Sequence, residues 1–127
     1  MVDKIVFDAT LYSAFAKDGK NKLVISSSDE NLWKLLDEIY KKAQKRWIPE
    51  WYKNRDDKNL IVLKSAYDIP FMIEATGEKL STDDFIDRDL IRGAEVKIKC
   101  NVKESCIYPS AVKVFKDGEA YDAFADF

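Results

Sequence analysis

Between positions 41 and 58 the cations Lys41, Lys42, Lys45, Arg46, Lys53, Arg55 and Lys58 meet only Glu50, Asp56 and Asp57, and Trp47, Trp51 and Tyr52 lie among them. Cations that follow phosphates, with flat rings that stack on bases, are what sequence-tolerant binding of a single nucleic-acid strand requires. The same residues have a plainer reading, because a helix C-terminus collects cations and tryptophans close the end of a core. Lys97 and Lys99 stand two apart in "AEVKIKC" and so share one face of a strand, where they either extend such a site or solvate a sheet. Tyr12 and Tyr108 are further rings available for stacking.

The chain ends in "GEAYDAFADF", in which Glu119, Asp122 and Asp126 alternate with Tyr121, Phe124 and Phe127. Its rings are too few to bury one another, so they need a surface supplied from elsewhere. No basic residue follows Lys116, so the remainder of the chain is slightly basic although the formal net charge is -2. A net acidic chain can therefore still carry a basic groove, and the acidic end can compete with nucleic acid for it.

Other chemistries are poorly supplied. The chain has no histidine, which removes Ser-His and Cys-His pairs, common zinc ligands and the commonest general base. "EVK", Glu95 to Lys97, has the spacing of metal-dependent nucleases, and Asp83, Asp84 or Asp87 could complete such a site. Any alternating strand also produces that spacing, and the acids read equally as a solvated loop. Cys100 falls on a strand and Cys106 in the turn after it, both read as reduced thiols. Duplex reading is disfavoured by the net charge and by the lack of helix-turn-helix or zinc-finger spacing.

The elements that position these residues follow from periodicity. "KIVFDATLYSAF" places Ile5, Phe7, Ala9 and Leu11 on one side, and "KLVIS" pairs with it through a hairpin tip at Asp18-Gly19. Leu32, Leu35, Leu36, Ile39, Tyr40 and Ala43 form a helical stripe, capped by Ser27 or Ser28 with Glu30 completing a capping box. "LIVLKSAY" and "PFMIEA" read as strands, Thr76-Gly77 as a turn and "GEKLSTDDFIDRD" as a loop with one helical turn. "GAEVKIKCNV" turns Val96, Ile98, Cys100 and Val102 inward, and "SAVKVF" is the last strand. Five or more short strands without a strand-helix rhythm predict a mainly β, α+β domain with one long helix. An OB-like antiparallel five-stranded barrel with an inserted helix fits best, over residues 1–117, followed by a flexible acidic and aromatic tail over 118–127.

The order "KLVIS", "SSDENLWKLLDEIYKKAQKRW" and "LIRGAEVKIKCNV…IYPSAVKVFKDGEAYDAFADF" resembles the single-stranded-DNA-binding proteins of bacteriophages, with Gly93 before the penultimate strand and "VKVFKDGE" after the last. The resemblance implies an OB fold with a helix inserted after an early strand, no catalytic residues and no cofactor. It also implies that an ending such as Asp126-Phe127, with Asp122 and Phe124 before it, docks on replication or recombination proteins. The expectation is thus a phage protein that coats single-stranded DNA in the cytoplasm of its bacterial host, as a monomer or homodimer, with no membrane partner. Its DNA contacts are expected at Lys45, Arg46, Trp47, Trp51, Tyr52, Lys53, Arg55, Lys97, Lys99, Tyr12 and Tyr108. A protein-interaction module without DNA affinity is the contrasting reading, and a nuclease the third.

Overall fold

The computed structural model describes residues 3–42, 60–103 and 106–119. One seven-stranded sheet organises them: β1 (Lys4–Lys17), β2 (Lys20–Ser26), β3 (Leu60–Ser65), β4 (Phe71–Ile73), β5 (Lys79–Leu80), β6 (Ala94–Lys103) and β7 (Cys106–Lys116), in the order β3-β2-β1-β6-β7-β4-β5. Helix α1 (Glu30–Lys42) lies between β2 and β3, and the short α2 (Thr82–Asp87) between β5 and β6.

β1 bends because it serves two partners. It pairs with β6 from Lys4 to Leu11 and with β2 from Thr10 to Lys17, with a bulge between Leu11 and Ser13. A bulge adds a residue to one strand and turns the ladder. Inward residues from both halves, Leu23, Ile25, Ile61 and Leu63 on one side and Val96, Ile98, Val112 and Val114 on the other, belong to one core cluster. The Cα atoms of β3 and β7 also approach within 8 Å. The sheet therefore curls around its core and brings its β3 edge toward β7.

The sequence expectation of a five-stranded antiparallel barrel differs from this in number and closure. Among the described residues β3 and β5 remain edges, and the short apolar run Phe71–Ile73 adds to β7 in parallel. A three-residue run carries no periodicity from which its partner or direction could be read. The last strand begins at Cys106, so that residue is the first of β7 rather than part of a turn.

Helix α1 buries Leu32, Leu35, Leu36 and Ile39 of the stripe its spacing predicts, while Tyr40 is half-buried and Ala43 lies outside the described residues. Its start differs from the expected serine cap. Asp29 takes that place, accepting from the Asn31 N–H at 3.0 Å, while the Ser27 hydroxyl donates to the Asp8 carbonyl at 2.6 Å and accepts from the Asp29 N–H at 3.1 Å. Ser27 thus ties the helix entry to β1. The Trp33 indole N–H donates to the Ser27 carbonyl at 2.8 Å and fastens the same corner.

Ahead of β4, Thr82 clamps the approach to that strand. Its hydroxyl donates to the Ile69 carbonyl at 2.9 Å and accepts from the Ile69 N–H at 3.0 Å, and its own N–H donates to Asp68 at 2.9 Å. Phe71 then stacks on Phe85 of α2 with ring centroids 4.0 Å apart. After β7, the Gly118 N–H donates to the Leu90 carbonyl and the Glu119 N–H to the Arg92 carbonyl. A Cβ on Gly118 would lie 2.5 Å from the Arg92 carbonyl oxygen, so only glycine fits there.

Candidate nucleic-acid interface

The β1–β2 hairpin turns through Asp18 and Gly19, both at positive φ, which sets Lys17 opposite Lys20 and Phe15 opposite Lys22. Lys22 in turn stands opposite Lys64 on β3. A row of Phe15, Lys22 and Lys64 therefore crosses three strands on the outer face, with the Lys22 amine 6.0 Å from the centre of the Phe15 ring. Phe15 is 54% exposed, and Tyr12, the extra residue of the bulge, is 45% exposed. Tyr67 is also exposed, on a loop held by a 2.8 Å bond from the Asn21 amide to the Tyr67 carbonyl.

Like charges directly opposite each other in a ladder destabilise it. Lys17 with Lys20 and Lys22 with Lys64 are two such pairs, in a chain with a net acidic composition. Both pairs gather cations side by side on the outer face.

A second basic surface lies on the outer face of β6, β7 and β4. Lys97 stands opposite Lys113, Lys113 beside Met72, and Met72 opposite Lys79, so one row runs across four strands. Lys99 follows in the next row, between Val6 and Ala111. These residues line an open groove of about 610 Å³ with an apolar floor that includes Val6, Met72 and Phe115. The bulge between Glu95 and Val96 pushes Phe115 out of the ladder, and the Lys97 amine sits 5.9 Å from its ring centre. Lys97 lies 3.8 Å from Asp8 and Lys113 lies 3.4 Å from Glu74, both exposed contacts of the kind that contribute little.

Between the two surfaces is a polar notch lined by Asp8, Thr10, Ser26, Ser27, Ser28 and Glu95. Its two carboxylates interrupt the basic character along β1 and β6. Among the described residues no three histidine, cysteine or acidic side chains gather as metal ligands, and Glu95 faces Thr10 and Lys116 across its two ladders.

Of the residues expected from sequence, Lys97 and Lys99 come together in the groove, Tyr12 lies at the bend of β1, and Tyr108 lies near the start of β7 under the Lys103 amine at 5.6 Å. The structure thus distributes these four over separate places. Lys45, Arg46, Trp47, Trp51, Tyr52, Lys53 and Arg55, and Asp122, Phe124, Asp126 and Phe127 of the tail, lie outside the described residues. Phe15, Lys22, Lys64, Lys79, Lys113 and Phe115 were not anticipated. The hairpin members were open to counting outward from Asp18-Gly19, whereas Lys79 and Lys113 join the groove only through long-range pairing.

The Cys100 thiol adds no reactive centre to either surface. Burial, and the neighbouring Cys106, push Cys100 up to about 12, so it stays protonated at neutral pH. Cys106 and partial burial raise the Tyr108 phenol above its ordinary value, which keeps it a neutral ring.

The described chain is a mainly β domain built on one curled sheet with two accompanying helices. Among solved structures it is similar to the single-stranded DNA-binding protein from bacteriophage Enc34 in a C-terminally truncated form, with a TM-score of 0.58 and 10% identity over 94% of this chain and 89% of that one. The resemblance expected from the order of sequence motifs is therefore present in the fold. No family model and no curated protein matches the chain.

Proposed function

We propose that this chain binds single-stranded DNA without reading its sequence, coating exposed strands during replication or recombination in the cytoplasm of a bacterial host. The observation that carries the reading is the outer row Phe15, Lys22 and Lys64, flanked by Lys17 and Lys20, where cations and an exposed ring share one face at a cost to the ladder. Lysines neutralise phosphates and release counterions, while Phe15 and Tyr12 offer stacking surfaces that accept any base. The fold likeness to a phage protein named for binding single-stranded DNA supports the same class.

The basic, tryptophan-bearing segment from Lys45 to Arg55 precedes β3 in the chain and is proposed to add its cations and rings to this face. The domain is proposed to span 1–117, with the acidic and aromatic segment from 118 onward recruiting replication or recombination proteins through Asp122, Phe124, Asp126 and Phe127. No catalytic group is assigned.

The test is the binding of labelled oligo-dT by the full chain and by the double variant Lys20→Glu/Lys22→Glu. Exchanging two phosphate contacts for repulsion should weaken binding at least tenfold and flatten the salt dependence by roughly 1.4 in slope. Equal binding by the variant would overturn the placement on the hairpin face, and no binding by the wild-type chain at low salt would overturn the function.

A further inference from the structure

We infer that the groove over β6, β7 and β4 is a second, separate site for a single-stranded nucleic acid, so that one molecule holds two strand segments at once. The inference rests on the single-stranded DNA reading above and adds to it a site on other strands of the same sheet. Three features argue for it. Lys79, Lys97, Lys99 and Lys113, from three different strands, all line the groove, and no acidic residue does. Lys79 and Lys99 have no ion-pair partner among the described residues, and Lys97 and Lys113 have only exposed ones that a phosphate can displace. Lys97 and Lys99 also stand about 6.7 Å apart by strand geometry, a spacing on the order of successive phosphates in an unstacked strand.

The floor suits bases in the same way. Phe115, 48% exposed, presents a ring beside Lys97, and Val6 and Met72 continue the apolar surface. Lys97 directly opposite Lys113 repeats the like-charge pairing seen on the hairpin face.

The site is separate rather than an extension of the first. A strand running along β1 and β6 from one surface to the other would pass the notch with Asp8 and Glu95, where phosphates are repelled. Each therefore takes its own segment.

The experiment is a stoichiometric titration of the full chain with oligo-dT of about 6 nucleotides, short enough to occupy one surface. It is repeated with Lys97→Glu/Lys99→Glu, with the neutral pair Lys97→Gln/Lys99→Gln and with Lys20→Glu/Lys22→Glu, all at outer-face positions. Two equivalents per chain are expected for the wild type. Each glutamate variant should lose one equivalent and keep the other, and the glutamine pair should weaken the groove equivalent without touching the hairpin one. One wild-type equivalent that only the hairpin variant abolishes would overturn the second site and leave the proposed function standing. A second equivalent that appears only after deletion of residues 120–127 would overturn it too, by assigning the groove in the full chain to the acidic segment. No binding by the wild type at low salt would instead defeat the underlying function.

Discussion

The two basic faces hold their charge differently. On the hairpin face Lys22 has Phe15 and Lys64 as its cross-strand neighbours, and Lys17 faces Lys20. In the groove Lys97 and Lys113 each lie near a carboxylate, Asp8 and Glu74. A polyanion reaching the groove must displace those carboxylates, so part of its electrostatic gain is already spent. Lys17, Lys20 and Lys22 make no ion pair among the described residues, so their part of the hairpin face is expected to bind tighter and with the steeper salt dependence, and the groove to fill second.

The faces also differ in what stands behind them. The groove wall at Phe71 leans on Phe85, whereas the hairpin rests on the central pairing of β1 and β2. Phe85→Ala should cost about 3–5 kcal/mol in urea unfolding, the range for emptying a buried aromatic site. Hydrogen exchange should rise first at β4 and α2. Uniform exchange across β2 and β4 would show that the two faces share one support.

Removing the exposed ring tests the hairpin alone. Phe15→Ala should weaken oligo-dT binding by about 1–3 kcal/mol, roughly 5- to 150-fold in Kd, while the melting temperature stays near that of the wild type. Unchanged affinity would leave the face with phosphate contacts only. Asp29→Ala should cost about 1 kcal/mol of stability through loss of the α1 cap, with oligo-dT affinity unchanged once the chain is folded, as paired unfolding and binding curves would report. A drop in affinity at full folding would place the α1 entry within the binding surface.

The smallest effect separates the faces most finely. Asp8→Asn removes an exposed partner of Lys97, so stability should move by less than about 0.5 kcal/mol. The groove equivalent should nonetheless tighten and its salt slope steepen by about 0.7, while the hairpin equivalent does not change. An equal change in both would mean that the notch does not divide them.

Much of the frame could be read from residue order alone. The alternation Val96, Ile98, Cys100 sets the inward row of β6 and therefore the outward row of Lys97 and Lys99, and the 3.6-residue stripe of α1 has its buried face where spacing puts it. Asp18-Gly19 marks the hairpin tip, and counting outward from it pairs Lys17 with Lys20 and Phe15 with Lys22. That count holds because a two-residue turn fixes register. The groove was not legible in the same way. Lys113 meets Lys97 through a register shifted by bulges, and Lys79 arrives through Met72 on a parallel strand too short to show a pattern. The α1 cap was misplaced because three serines and an aspartate in a row all satisfy the capping preference, and only the tie from Ser27 to β1 decides among them.

The most direct test of the central claim is a titration of labelled poly-dT and of a matched duplex with the full chain, followed by anisotropy from low to high salt. Binding to poly-dT that exceeds binding to duplex and falls with salt, by about 0.7 in slope for each phosphate neutralised, is the predicted result. No binding to poly-dT at low salt, or equal binding to both, would contradict it.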